Sequence, residues 1–260
     1  MRQLHPVPLD DIDPIEVYGA DQRTPSSDRP WVLINMVASI DGATAVEGRS
    51  GGLGGPGDVA VFQAIRAVAD VIVAAAGTVR AENYGPPAAS ATIRSVRAAR
   101  GQAELARLAV LTNRLDLDPE ARLFGPTDGE RPLILTSGSA PPAARTRLDP
   151  VAEILTVGDE RVDLSAALAA LSQHDARVVL LEGGPSLIGQ FVAQDLIDEL
   201  CITISPLMAG GESARLAHGP APVRPIGFDL ARILADEDGT LFLRYVRPAA
   251  VNDPPDPPQG

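Results

Sequence analysis

The strongest constraint on the fold is a set of short apolar runs that recur along the chain without polar alternation. Val178, Val179, Leu180 and Leu181 make one, and residues 71–76, 108–112 and 132–136 make others. An alternating run suits a strand with one wet face, whereas an unbroken run suits a strand covered on both faces. Further strands are expected over 31–39, 152–157 and, strongly alternating, 199–205. Between them lie stretches of helical period, such as 58–69, where Val61, Phe62, Ile65 and Val68 share one face. Segments near 139–148 and 164–171 and the stretch after Pro185 also read as helices. The last part, 228–235 and 240–246, reads as two strands joined by a turn at 236–239. This succession predicts an α/β protein, a three-layer α/β/α arrangement with a mainly parallel mixed sheet and a C-terminal antiparallel hairpin.

Residues 1–28 are rich in Pro, Asp and Ser, lack periodicity, and read as an arm lying on the surface. Residues 29–247 read as a single domain, with no separating linker and no internal repeat. Residues 83–106 are expected to be irregular, and 248–260, containing PPDPP, to be a disordered tail.

A net charge of −12 argues against a nucleic-acid partner, because phosphates would be repelled. No apolar run approaches the roughly 20 residues that span a bilayer, so no membrane association is expected. The N-terminus carries prolines and acids where a signal peptide needs an apolar stretch, which implies a cytoplasmic protein. Every basic side chain except histidine is arginine; with no lysine, both a Walker-A loop and a Schiff-base mechanism are excluded. Cys201 is the only cysteine, and His5, His174 and His218 show no metal-ligand spacing, so no metal site is expected.

Polar groups collect where the strands end. Glu182 closes the 178–181 strand; Gly183 and Gly184 allow a tight turn and close backbone approach, and Pro185 suits a first helical turn. Gly77-Thr78 and Thr112-Asn113-Arg114 follow two other strands. Helix starts, hydroxyls and an arginine at the carboxyl ends of a parallel sheet suit a pyrophosphate and a further monophosphate, the pattern of a nicotinamide dinucleotide with a 2′-phosphate. Generic turns with hydroxyl caps fit the same spacing. Residues 52–57 match G-x-G-x-x-G, but the match does not directly follow a buried strand, so it reads as a loop. Gly184-Pro185-Ser186 approaches a nucleophile elbow, with Asp198 and His218 following in hydrolase order, but the second glycine falls one place late, at Gly189.

Taken in order, NMVASIDG (35–42), the loop at Ser50, Arg66-x-x-x-Asp70, VIVAAAGTVRAE (71–82) and LLEGGPSLIG (180–189) resemble the reductase domain of the bacterial riboflavin-biosynthesis deaminase–reductase, in the dihydrofolate-reductase-like superfamily. The resemblance spans about residues 29–247. It implies NADPH-dependent reduction of 5-amino-6-(5-phosphoribosylamino)uracil, with hydride delivered to the sugar carbon next to nitrogen. It also implies that Ala38, Thr78, Thr112, Arg114 and the turn Gly183, Gly184, Pro185, Ser186 and Leu187 contact NADPH, with Thr112 and Arg114 near the 2′-phosphate. Ser50, Arg66, Glu82 and Glu182 would face the substrate, with Glu82 and Glu182 as catalytic carboxylates, Asp41 would be structural, and the protein would be a homodimer.

The sequence departs from that family in places. H-x-E and P-C-x-x-C, the marks of the zinc deaminase, are absent. Glu82 replaces an aspartate, Gly52 a tryptophan, and residues 83–89 lack D-P-x-L-x-x-R. Three other readings therefore stand: a same-fold reductase of dihydrofolate or another small substrate, a non-catalytic NADPH-binding protein and, more remotely, a serine hydrolase.

Overall fold

The computed structural model describes residues 1–248. The chain opens with β1 (Arg2–His5) and α1 (Pro14–Gly19), then enters the middle of a sheet with β2 (Trp31–Ser39). Helix α2 (Pro56–Val68) leads to β3 (Val71–Ala75), which runs directly into α3 (Ala76–Ala81); α4 (Ala91–Ala99) precedes β4 (Arg107–Leu111). β5 (Leu133–Thr136), α5 (Pro142–Leu148), β6 (Glu153–Thr156) and α6 (Leu164–Gln173) extend the sheet outward. β7 (Val178–Leu181) and α7 (Pro185–Ala193) return to its middle, and β8 (Glu199–Ser205), β9 (Asp229–Ala235) and β10 (Leu241–Val246) complete it.

The order across the sheet is β1-β9-β10-β8-β2-β7-β3-β4-β5-β6. Every neighbouring pair from β8 to β6 is parallel, while β10, β9 and β1 add on antiparallel. The expected mixed sheet, mainly parallel with a C-terminal hairpin, is the one observed. Its unbroken apolar runs divide by period two. Leu33, Ile72, Val110, Ile134 and Leu180 face one core with α2 and α5. Val32, Ile34, Val71, Val73, Leu133, Val179 and Leu181 face the other with α6 and α7. Helices on both faces are why these strands carry no polar alternation. No helix among the described residues is long and apolar enough to cross a membrane.

Three segments differ from the sequence expectation. The N-terminal arm is woven in: β1 pairs with β9, and α1, capped by the Asp13 carboxylate, buries Tyr18 at 1% exposure. What fixes the arm is charge, which periodicity does not register. Arg23 forks the fully buried Glu199 through Nε and Nη2 at 2.9 and 2.8 Å, and Arg244 and the Trp31 indole donate to the same carboxylate. Arg232 forks Asp21 at 2.6 and 2.8 Å. Second, α4 occupies part of the stretch expected to be irregular. Its buried face holds Ile93 and Arg97, and an arginine at a core position erases the apolar period. Arg97 donates to the carbonyls of Ala69, Ala67 and Ala103, so it closes the carboxyl end of α2. Third, Gly77 and Thr78 lie inside a short helix rather than a turn. The tail expected to be disordered lies, beyond Pro248, outside the described residues.

Burial works against the charge on Glu199, yet Arg23 and Arg244 hold its pKa at about 2. Its stabilising contribution is therefore complete above the unfolded-state value of about 4.3 and is lost as pH falls toward 2. Glu199→Ala leaves the buried Arg23 and Arg244 with Asp21 as their one remaining carboxylate, which Arg232 already forks, and should cost roughly 3–5 kcal/mol in urea unfolding at neutral pH. A loss below 1 kcal/mol would contradict the role given to this cluster.

Candidate functional site

At the carboxyl ends of the central strands lies a cleft of about 930 Å³. Its position follows from the strand order, because β2, β7, β3 and β4 are consecutive and parallel, and the turns that leave them stand side by side. The three strand ends marked in the sequence, after β7, β3 and β4, are thus neighbours on one edge.

Glu182, the residue after β7, is the most constrained side chain of the cleft. Its amide donates to Val73 O, which continues the sheet by one step, and its side chain is 2% exposed. Arg66, in the last turns of α2, forks it with Nε to Oε1 at 2.6 Å and Nη2 to Oε2 at 2.7 Å. The Tyr84 hydroxyl donates to Oε2 at 2.9 Å. The Arg66 guanidinium also lies 4.2 Å from the centroid of the Phe62 ring, within cation–π range. Burial works against the charge on Arg66, but the Glu182 carboxylate more than offsets it and raises the guanidinium pKa. Burial and then the charge of Glu182 push Tyr84 upward, so the hydroxyl stays a donor at neutral pH.

Glu82 caps α3 and reaches the covering loop: Ser50 donates to its Oε1 from both the backbone amide, at 3.0 Å, and the hydroxyl, at 3.1 Å. That loop is tied in turn to residues 209–214. The Ser213 hydroxyl accepts from the amides of Thr44 and Ala45, and the Thr44 hydroxyl donates to Ala214 O. Asp41 accepts from the Ser39 hydroxyl and the amides of Ala209 and Gly210, and these bonds hold its carboxyl at about 2. It supports the covering loops, as a structural residue would.

After Glu182 the chain turns at Gly183, with φ at +100°, a conformation that favours glycine. A Cβ on Gly184 would meet the Thr78 Oγ1 at 2.7 Å, so this turn and the start of α3 approach closely. Neither α3 nor α7 has a side-chain cap at its amino end; in α7 Pro185 carries no N–H and the Leu187 amide donates to Gly184 O, so the Ser186 amide is the one its first turn can offer to an anion.

Of the residues expected from sequence, Ser50, Arg66, Thr78, Glu82, Glu182, Gly183, Gly184 and Pro185 line this one cleft. Five others are not among its lining residues. Ala38 is buried one step beyond Asn35, Met36 and Val37, which do line it. Ser186 is exposed, and Leu187 is buried in the core beneath α7. Thr112 accepts from the amides of Arg114 and Leu115 in its own turn, and Arg114 is exposed. The hydrolase constellation does not form: the Asp198 carboxylate is held by Arg29 and the Val32 amide, and the displaced Gly189 packs against the His218 carbonyl.

Sequence reasoning missed Tyr84, Phe62 and Asp58, all of which line the cleft. Phe62 shared a face with Val61, Ile65 and Val68 on the helical wheel, but those three turn into the core and Phe62 is left half-buried beneath Arg66. Tyr84 lay in the stretch that departs from the family pattern, and the departure itself was the signal. Among the described residues no group of three or more His, Cys, Asp and Glu is placed to hold a metal ion.

The chain resembles known proteins over the region that builds this cleft. The family model described as the RibD C-terminal domain matches residues 30–242. The 2,5-diamino-6-ribosylamino-4(3H)-pyrimidinone 5′-phosphate reductase of Archaeoglobus fulgidus is 32% identical over 187 residues, covering 72% of this chain and 84% of that protein. The riboflavin biosynthesis protein RibD of Bacillus amyloliquefaciens is 29% identical over 188 residues, 71% of this chain but 48% of that one. A crystal structure of a pyrimidine reductase-like protein from Corynebacterium diphtheriae matches with a TM-score of 0.81 at 25% identity, covering 92% of this chain and 100% of that chain.

The Arg66–Glu182–Tyr84 triad should behave as one coupled unit. Arg66→Met leaves Glu182 buried without its cation and should cost roughly 3–5 kcal/mol, and Tyr84→Phe about 1–3 kcal/mol. A double-mutant cycle read by urea unfolding should show a coupling energy of about 0.5–3 kcal/mol. Strict additivity would mean that the two side chains do not share Glu182.

Proposed function

The chain belongs to the RibD C-terminal domain family, and on that basis we propose that it is an NADPH-dependent reductase of a phosphoribosylaminopyrimidine in riboflavin biosynthesis. One observation carries the proposal: a single strand end holds both the fixed carboxylate Glu182 and the glycine turn that approaches Thr78. Substrate-facing and cofactor-facing groups are consecutive in the chain, so the two ligands meet there.

The residues present fit a dinucleotide. The uncapped start of α3 and the Ser186 amide of α7 would meet a pyrophosphate, and the Gly184–Thr78 approach leaves no room for a side chain that would block them. Arg114, exposed after β4 and in no ion pair among the described residues, is the cation available to a 2′-phosphate, with Thr112 shaping its turn. Ala38 and Ser186 would act here through the backbone, while Leu187, its amide bonded to Gly184 O and its side chain in the core, would hold the turn in place. Bound nicotinamide supplies hydride.

The chain's own residues prepare the acceptor. In the open-chain form of the substrate the sugar carbon is joined to the ring-bound nitrogen by a C=N bond. Nitrogen takes up a proton, hydride adds to that carbon, and the π pair becomes the lone pair of the neutral amine. Glu182, held immobile by the Arg66 fork and the Tyr84 hydroxyl, stabilises positive charge on the protonated imine. Glu82 is anchored through Oε1 by Ser50, which leaves Oε2 without a protein partner among the described residues and turns it to proton relay. Ser50 and Arg66 complete the substrate side. A homodimer in the cytoplasm is part of the same proposal, following the family resemblance.

Purified protein with NADPH should consume nicotinamide absorbance when given a ribosylaminopyrimidine 5′-phosphate and not when given dihydrofolate. Turnover of dihydrofolate alone would replace the proposed substrate, and tight NADPH binding without turnover of either would favour a non-catalytic role. Gly184→Val should weaken NADPH binding by roughly tenfold or more, about 1.4 kcal/mol, measured by calorimetry on the folded variant. Unchanged affinity would remove this turn from the cofactor site.

A further inference from the structure

A substrate with a 5′-phosphate brings a strong anion to a chain of net charge −12. Arg66 is the only arginine among the residues lining the cleft, and its Nε and Nη2 are engaged by Glu182. The chain has no lysine, so a second permanent cation can only be an arginine at the cleft's edge. Arg122 lies beside residues 83–85, the segment through which Tyr84 reaches into the cleft. It opens the 3₁₀ turn Arg122–Phe124, which is anchored by the buried Leu123 and by Phe124, packed with Tyr84 against the core under α2. The Arg122 side chain itself is exposed, donates from Nη1 to Asn83 O at 3.4 Å, and makes no ion pair among the described residues.

The free edge of that guanidinium singles it out. With Nη1 turned to Asn83, the N–H groups of Nε and Nη2, which can fork an anion side-on, have no protein partner among the described residues. They lie over Gly85: a Cβ there would fall 2.8 Å from Nε and 3.3 Å from Nη2. Gly85 is not among the glycines with positive φ, so the turn does not demand a glycine; the room for the guanidinium does. Arg49 and Arg215, next to Ser50 and Ala214 in the covering loops, are exposed, and their side chains make no hydrogen bond among the described residues. Arg122 is thus the edge arginine with a built seat.

We propose that Arg122 forks the 5′-phosphate of the substrate and that Gly85 provides the space for it to do so. This rests on the reading of the cleft as a ribosylaminopyrimidine reductase site, and it adds the anchor for the end of the substrate remote from the ring. The reach agrees with Tyr84, whose hydroxyl touches Glu182 and whose backbone adjoins Gly85. A tyrosine measures about 6.5 Å from Cα to hydroxyl oxygen, and an open-chain ribosyl 5′-phosphate about 7 Å from the carbon that takes hydride to phosphorus. With the sugar laid along the Tyr84 ring, that carbon stays beside Glu182 while the phosphate meets Nε and Nη2. Fixing the far end in this way holds the reacting carbon in place for the cofactor.

The test measures kcat/KM with NADPH for a ribosylaminopyrimidine 5′-phosphate and for the same compound lacking its phosphate, in the native protein and in variants whose folding is checked by circular dichroism. Arg122→Gln should lower the value for the phosphorylated compound roughly 10- to 100-fold, the loss of a charge-assisted fork, and leave the other compound unchanged. Gly85→Ala keeps the charge but displaces the guanidinium, and should reproduce part of that loss for the phosphorylated compound alone. Arg49→Gln and Arg215→Gln should leave the ratio between the two compounds where it was. An unchanged ratio in Arg122→Gln, or one factor lost on both compounds, overturns the inference and leaves the reductase reading intact. Equal efficiency for the two compounds in the native protein does the same. A larger shift of the ratio in Arg49→Gln or Arg215→Gln than in Arg122→Gln would move the anchor to a covering loop and also overturn it. Oxidation of NADPH by neither compound removes the reductase reading and the inference with it.

Discussion

A carboxylate buried at the end of a central strand is the condition on which the site depends. Glu182 is 2% exposed at its side chain and is tolerable there because Arg66 and Tyr84 satisfy it. That requirement reaches three parts of the chain. It fixes the rotation of α2, since Arg66 must reach β7; it holds residue 84 against the cleft; and it orients Phe62 and Asp58 along the same side of that helix. Isolated buried ion pairs are weak sources of net stability, so the arrangement is better understood as positioning than as reinforcement.

The second condition is topological. β7 comes late in the chain yet lies between β2 and β3, so its end meets the ends of strands formed more than a hundred residues earlier. Without that insertion, Gly184 would not meet Thr78, and Arg66 would have no carboxylate to pair with. Fold and site are one arrangement here: the doubly covered parallel sheet provides a shared edge, and the residues leaving each strand supply its chemistry.

The parts legible in the sequence were those encoded in local period and punctuation. Unbroken runs such as 178–181 announced strands covered twice, and Gly183-Gly184 after Glu182 announced a close approach. What escaped was encoded in charge and in three dimensions. Arg97 occupies a core position of α4 by capping α2, which no hydrophobic pattern can report. The arm before β2 is fixed by Asp21 and Arg23 against charges on β8, β9 and β10, distant in sequence. Asp58 and Phe62 lay in plain view on a recognised helix, but which side of that helix faces the cleft is decided by Arg66 and its partner on β7. Thr112 and Arg114 were found as a strand end, and their adjacency to the other two turns came from the strand order.

The most direct measurement follows the hydride itself. With NADPH carrying deuterium at the transferring position and a ribosylaminopyrimidine 5′-phosphate, the product should carry one deuterium on the sugar carbon bonded to the ring-attached nitrogen. Mass spectrometry and proton NMR locate it. Nicotinamide oxidation with no deuterium at that carbon, or with deuterium on the pyrimidine ring, would contradict the proposed meeting of cofactor and substrate at Glu182.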